Sequence, residues 1–366
     1  MKHRMIMYVY NDITTDARVQ RAANALADHF DLTLISTQKG KEIQDQKYKN
    51  VLVSGGASKL NLFGSIYAAF RCIRKERPDY VYCHDYYSAV LAYLLLKTKY
   101  KGRIIYDAHE LIIPEKEYPD RRQSFFYWFE QRIVKKVDLL ICASKERGDL
   151  MQKHYKLITT PLVIDNISQL AISSDSETAD VLKSLDSFFQ QPGTTVVYAG
   201  AVTKTRRIND LLETVASMSL QFKLLIVGNG PFLSELRDEA SKYTKLVTAF
   251  TGGVPYKSLG AILSRCDIGF LYYPSDTLNN TYCASNKIYE YASVGLPMLA
   301  NENPTVKAIL NKSKIGLSTG DFKAGLIRIS AEINFYKQMC EVFTTNNQWS
   351  SEASLLLERI KAIPLI

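Results

Sequence analysis

A lysine placed in the first turn of a helix, with a carboxylate one turn further on, is an arrangement suited to an anion carrying hydroxyl groups. Ser285–Pro297, SNKIYEYASVGLP, reads as such a helix. Ser285 stands at the N-cap, Lys287 and Glu290 follow, and Gly295 with Pro297 ends it. A helix start after a small polar loop offers free backbone N–H groups and the positive end of a dipole, which suits a phosphate. Lys287 adds a full charge, Asn286 lies between it and the cap, and Glu290 can accept hydrogen bonds from two neighbouring hydroxyls, as on a ribose. Arg206 and Arg207 sit at another helix start, after the turn at Gly200. Cations there oppose the helix dipole unless an anion is present. A diphosphate attached to a ribose is the ligand these residues describe.

Other polar residues stand at strand ends, where open α/β sheets bind ligands. His109 follows the strand Arg103–Tyr106, and His84 with Asp85 follows Tyr80–Cys83. Between the strand Ile268–Tyr272 and Ser285 lies PSDTLNNTYCA, which carries Asn279 and Asn280. No Asp-x-Asp motif appears, so a divalent ion is expected to be dispensable, its place taken by the protein's cations and helix terminus. No carboxylate pair at glycosidase spacing is legible, which disfavours hydrolysis.

The elements that position these residues alternate. Met5–Val9 reads as a buried strand, Tyr10–Thr15 as a polar loop and Ala17–Phe30 as a helix with an apolar face. Strand and helix then alternate through Pro161–Ile164. Ser168–Pro192 is polar and Ser/Asp-rich and reads as a linker, with one apolar patch at Val181–Phe189. The alternation restarts at Thr195–Tyr198 and continues to Met298–Ala300, and a final helix is expected over Gln348–Ile360. The fold class is α/β, with two Rossmann-like domains facing one cleft. The first is expected over residues 1–170, with 348–366 added, and the second over 190–345.

Asn286-Lys287-x-x-Glu290-Tyr291-x-x-x-Gly295-x-Pro297 resembles the donor-binding signature of glycosyltransferases with the GT-B fold, in particular the large retaining family 4. Asp16-x-Arg18-Val19-x-Arg21 and Tyr106-Asp107-Ala108-His109-Glu110 look like a subgroup of the same enzymes. The resemblance implies that Glu290 holds the ribose, that His109 contacts the donor sugar, and that Gly200 and Arg206 meet the diphosphate. It also implies that the main chain at Gly253 and Val254 reads the base, and that the last helix crosses back onto the first domain. Asp16, Arg18, His84 and Asp85 are then expected on the acceptor side. The sequence departs from the family at three points. Ala201 stands where Arg is common, Arg207 where Gly is usual, and Tyr282 where a first Glu is found. Asn280, which can both donate and accept, is expected to replace that carboxylate in catalysis beside His109 and Arg206.

The expected activity is sugar transfer from a nucleotide-diphosphate sugar, UDP- or GDP-linked, to an acceptor hydroxyl with retention of configuration, in cell-surface polysaccharide or glycoconjugate synthesis. No other cofactor is expected. The acceptor is a glycan, a lipid-linked sugar or a protein. A nucleotide-sugar epimerase of the same fold, and a non-catalytic donor- or glycan-binding subunit, stay open as alternatives.

Composition bounds the rest. At 366 residues, 46% hydrophobic and 23% charged, the chain has the balance of a soluble two-domain protein. A net charge of +9 suits anionic partners. No nucleic-acid module is legible, so nucleic acid is not expected among them. The longest apolar run, Ala89–Leu96, falls well short of the roughly 18 residues of a membrane span. The six dispersed cysteines fit reduced thiols. A cytoplasmic location is expected, with peripheral contact at the inner face of the plasma membrane. RRQSFFYWFEQRIVKK at 121–136, basic and aromatic, is the candidate helix for contact with an anionic membrane.

Overall fold

The computed structural model describes residues 2–13, 16–37, 47–53, 59–115 and 121–365. Thr14 and Thr15 of the first polar loop, and the side chain of Arg121, lie outside the described residues. The chain divides into two compact units, one of residues 1–166 with 350–366, the other of residues 167–349.

In the first unit, β1 (Arg4–Tyr8), α1 (Ala17–Ala27), β2 (Asp31–Ser36), β3 (Lys49–Leu52) and α2 (Lys59–Glu76) open the alternation. β4 (Tyr80–His84), α3 (Ala89–Lys97), β5 (Arg103–Ala108), α4 (Arg121–Ile133), β6 (Leu139–Cys142), α5 (Lys145–Tyr155) and β7 (Leu162–Val163) complete it. The sheet is parallel in the order β3-β2-β1-β4-β5-β6-β7. Strands such as Met5–Tyr8 and Tyr80–His84 are buried throughout, because helices cover both faces of a parallel sheet. Strand order reverses between β1 and β4, so the loops after these strands part and leave a crevice at the C-terminal edge. Behind the sheet, Tyr106 and Tyr155 each donate at 2.6 Å to the carboxyl of Glu130, which is how α4 is fixed to the core. Burial pushes the Glu130 carboxyl up to about 7.

The second unit follows the same plan. Two helices, α6 (Ser176–Ser184) and α7 (Asp186–Phe189), precede β8 (Thr194–Ala199). They occupy the stretch that composition marks as a linker. Asp175 caps α6 by accepting from Thr178 N at 2.8 Å, and Leu185 and Phe188 join the core, so the polar residues are a cap and an outer face. Then come α8 (Ile208–Ala216), β9 (Phe222–Val227), α9 (Leu233–Ser241), β10 (Thr248–Gly252), α10 (Tyr256–Leu263) and β11 (Ile268–Leu271). α11 (Leu278–Thr281), α12 (Asn286–Ser293) and β12 (Met298–Ala300) carry the candidate donor segment. α13 (Pro304–Ser313), β13 (Gly316–Ser318), α14 (Phe322–Ala331) and α15 (Ile333–Asn346) follow. The parallel order is β10-β9-β8-β11-β12-β13, which puts the reversal between β8 and β11. α16 (Trp349–Lys361) lies, from residue 350 on, in the first unit, where Glu352 accepts from Asp165 N at 2.9 Å.

All six cysteines are free thiols. Among the described residues no helix is long and apolar enough to cross a membrane.

Candidate active site

In the second unit the candidate residues gather where strand order reverses. Gly200 ends β8 with φ 148°, a region that favours glycine, and a Cβ there would lie 2.9 Å from Lys287 Cε and 3.0 Å from Nζ. The missing side chain is what lets the lysine reach the turn. Gly228, at φ 139°, faces Gly200 O so closely that any Cβ would collide with it, and its N–H donates to Gly252 O at 2.8 Å. Glycines thus close the ends of β8, β9 and β10 into one flat rim.

Helix α12 brings Lys287 there by its own packing. Tyr291 is fully buried, its hydroxyl accepts from Ala199 N at 3.0 Å, and its ring lies where Gly269 has no Cβ. The helix ends as its sequence requires. Gly295, at φ 69°, donates to Ala292 O, and Leu296 N reaches Tyr291 O at 3.0 Å. At the other end Ser285 stands at the N-cap but makes no capping bond. Its hydroxyl instead shares a 2.7 Å hydrogen bond with Tyr273 OH, so the helix start is not occupied by its own cap. Burial pushes the half-buried Lys287 ammonium down, Glu290 pulls it back, and Arg206 pushes it down further. Lys287 therefore lies beside Gly200 at an uncapped helix terminus and within reach of the Arg206 charge, a repulsion that a bound anion would relieve.

Arg206 ends the 3-10 turn Lys204–Arg206, donates to Tyr272 O at 2.9 Å and lies over the Tyr273 ring at 4.4 Å. Arg207 turns away. It is exposed, pairs with Asp210 at 2.8 Å, and its backbone is left-handed at φ 46°, a conformation that favours glycine. Glu290 is 2% exposed, and its Oε1 accepts from Asn286 Nδ2 at 2.8 Å and from Tyr256 OH at 3.0 Å. Gly253 and Val254 follow β10, with Asn229 Nδ2 3.4 Å from a Cβ built on Gly253. Asn280 lies on α11, where its amide donates to Asp276 Oδ1 at 2.7 Å and its carbonyl accepts from Asn303 at 3.0 Å. Tyr282 is half-buried at the end of that turn.

In the first unit, His84 and Asp85 end β4 and His109 follows β5, side by side in the sheet. His84 Nδ1 is 3.2 Å from His109 Nε2, and both rings approach Asp107 Oδ2, at 3.7 and 3.6 Å. Arg18 is not open to an acceptor, because it is buried and grips Asp107 with two nitrogens, at 2.9 and 3.3 Å, and Ile164 O with a third bond. Burial would raise the Asp107 carboxyl, but Arg18, then His109, hold it well below the carboxylate range. Asp16 caps α1, accepting from Val19 N at 3.1 Å and from Asn11. Asp85 has φ 62°, unusual for a non-glycine residue, and its Oδ1 is buried without a partner among the described residues. Burial pushes its carboxyl up to about 7.

The ligating atoms of His84, Asp107 and His109 lie within 4.8 Å of one another, close enough for a cation among the described residues. Arg18 already neutralises that carboxylate, and a metal ion would sit against its guanidinium. The donor set therefore fits a proton network better than a metal. Sequence reasoning missed Asp107 as the hub, as well as Arg147, which donates to the main-chain oxygen of His109. The Asp107 signal was present in YDAHE, one residue before the alanine that precedes His109.

Residues 17–165 match the model of Glycosyltransferase Family 4, and residues 193–330 that of the Glycosyl transferases group 1. No curated protein matches the chain. Among solved structures, sucrose-phosphate synthase from Thermosynechococcus elongatus is similar at 14% identity, over 98% of both chains, with a TM-score of 0.75. Anabaena HepE, solved in complex with UDP and glucose, is similar at 11% identity over 98% of this chain and 100% of its own, with a TM-score of 0.76. WaaG, a glycosyltransferase involved in lipopolysaccharide biosynthesis, is 12% identical over 98% and 100%, with a TM-score of 0.68. With one family model on each unit and this fold along nearly the whole length, the chain is a glycosyltransferase of the GT-B fold, related to family 4 and to group 1.

Proposed function

We propose that the chain moves a sugar from a nucleotide-diphosphate sugar to an acceptor hydroxyl with retention of configuration, in polysaccharide or glycoconjugate synthesis. The observation that carries this reading is Lys287 beside Gly200 at the uncapped start of α12, within reach of the Arg206 charge. The acceptor oxygen bonds to the anomeric carbon as the bond from that carbon to the diphosphate breaks, and the acceptor's hydroxyl proton passes to the leaving diphosphate oxygen. Negative charge grows on the leaving oxygen, and the two cations and the helix N–H groups are placed to stabilise it. Glu290, oriented by Asn286 and Tyr256, holds the ribose hydroxyls, and Gly253 and Val254 lie by the base. His109 contacts the donor sugar, and Asp85 lies on the acceptor side. Asn280 takes the part of the carboxylate replaced at Tyr282 once a donor draws its amide from Asp276. HepE, of like fold, was solved with UDP-glucose, which makes a UDP-linked donor the first to try.

The test is transfer from a panel of UDP- and GDP-sugars in the presence of EDTA, with product configuration read by NMR. Turnover that survives chelation and keeps the donor's anomeric configuration is expected, since the stabilising charges belong to the protein. Activity lost on chelation and restored by Mg²⁺ would contradict the reading, and product formed from donor alone would favour an epimerase. Nucleotide binding without transfer from any donor would favour a non-catalytic subunit.

A peripheral contact with an anionic membrane is the second reading, favoured by one face of the first unit. Phe63 and Tyr67 on α2 and Phe125 and Trp128 on α4 are 41–61% exposed, and Phe63 packs edge-on against Phe125. Arg71 lies over Tyr67 and Arg132 over Trp128. Phe126, by contrast, is core, so the helix serves both the fold and this face. The chain should bind vesicles containing phosphatidylserine and release in salt. Phe125→Ser with Trp128→Ser should weaken that binding several-fold at an unchanged melting temperature. Equal binding to neutral vesicles, or a large fall in melting temperature, would count against the contact.

A further inference from the structure

We infer that His84 is a positioning residue that fixes the tautomer of His109, so that His109 presents Nδ1–H, a hydrogen-bond donor, to its ligand. The tautomer is independent of the reading above, whereas its consequence for turnover rests on His109 touching the donor sugar.

One buried nitrogen of His84 is orphaned. His84 is completely buried, its ring stacks on Tyr82 at 4.1 Å, and its Nε2 has no hydrogen-bond partner among the described residues. Its Nδ1 faces two atoms, His109 Nε2 at 3.2 Å and Asp107 Oδ2 at 3.7 Å. Burial disfavours the charged ring, so His84 carries one proton, on one nitrogen or the other. On Nε2 that proton would be a buried, unpaired N–H. On Nδ1 it faces the carboxylate and the neighbouring imidazole, and only a lone pair is left unpaired. The second arrangement costs less, since an orphaned buried donor is the rarer and dearer defect.

The carboxylate beneath the rings already has its donors, so it does not require the His109 proton. Asp107 is held ionised by Arg18, and Tyr82 donates to its Oδ2 at 3.2 Å, so every group around it is a donor or a neutral ring. With Nδ1–H of His84 aimed at His109 Nε2, that nitrogen accepts, and a neutral His109 keeps its proton on Nδ1. When His109 takes a second proton, Nε2–H turns to Asp107, and Nδ1 still carries its own. In both charge states the outer nitrogen donates. Arg147, donating to the His109 carbonyl, holds the backbone from which the ring projects. A donor at Nδ1 suits an oxygen with lone pairs, such as a sugar hydroxyl or a phosphate oxygen, and does not suit a role as general base.

Nitrogen-15 imidazole spectra of the labelled full chain, at a pH where His109 is neutral, test this directly, with His109→Gln identifying the resonances. The expected result is a protonated Nδ1 and a bare Nε2 on His109. A protonated Nε2 on neutral His109 would overturn the inference. His84→Phe keeps the stack on Tyr82 and removes both the donor and the orphaned nitrogen. It should hold the melting temperature, mix the His109 tautomers, and lower kcat about tenfold while the donor KM changes little. An unchanged His109 spectrum in that variant would also overturn the inference. Full activity in His109→Gln would sink the donor-sugar contact alone, with the tautomer still judged by the spectra.

Discussion

Replacing Lys287 by alanine is expected to lower kcat by about 10²–10³-fold, or roughly 3–4 kcal/mol of transition-state stabilisation, the scale of one preorganised donor lost from a developing anion. The folded state should not suffer. Without a ligand the ammonium is half-buried and repelled by Arg206, and it is offset only in part by Glu290. Alanine at the second residue of α12 removes a charge whose burial outweighs its attraction to Glu290, and it is a good helix former. The melting temperature of the free variant should therefore match or exceed that of the parent, while turnover collapses. Steady-state kinetics and a melting curve on the same preparation decide it. Retained turnover with a lower melting temperature would make Lys287 a structural residue.

The second large effect lies in the other unit. Asp107→Ala should destabilise the first unit by about 3–5 kcal/mol, because it leaves the buried Arg18 guanidinium without its counter-ion. In a unit of this size that corresponds to a fall of about 10 °C in melting temperature. Arg18→Met combined with Asp107→Leu should recover much of the loss, since the cost comes from stranding one charge. The pair's contribution is present above pH about 3.9, the ordinary aspartate value, and is lost as acidification continues toward the depressed folded value. A fall of under 2 °C for Asp107→Ala would mean that Arg18 is not bound up in the core and is free to meet an acceptor.

Arg18 also shows where the sequence stops being legible. The alternation of apolar strands and one-sided helices exposes both Rossmann-like units, because a parallel sheet covered on both faces leaves that mark in every strand. The residues proposed for the phosphate side are equally readable, since glycines, a helix start and clustered cations have local causes. Arg18 and Asp107, by contrast, are 89 positions apart, and nothing local in either segment announces a buried pair. Ser285 looks like a cap by type, but its hydroxyl goes to Tyr273, a partner set by the tertiary fold. The stretch before β8 looks like a linker because its helices carry few apolar residues. Val181, Leu182 and Phe189 nonetheless pack against the core from α6 and α7. β13 is three residues long, begins with glycine and has two half-buried residues, so it leaves no apolar run of the kind that marks β12.

In the proposed function the second unit holds a nucleoside diphosphate through Arg206 and Lys287. Arg206 already donates to Tyr272 O and stacks on Tyr273, so a purely structural role is a real competitor. Isothermal titration of Arg206→Ala with UDP, GDP, uridine and guanosine separates the two. If the guanidinium binds the diphosphate, affinity for the matching diphosphate should fall about 10- to 100-fold, as for a lost charge-assisted hydrogen bond, while affinity for the nucleoside stays within about twofold. Equal losses for diphosphate and nucleoside would contradict the account and leave Arg206 as a brace for the Tyr272–Tyr273 loop.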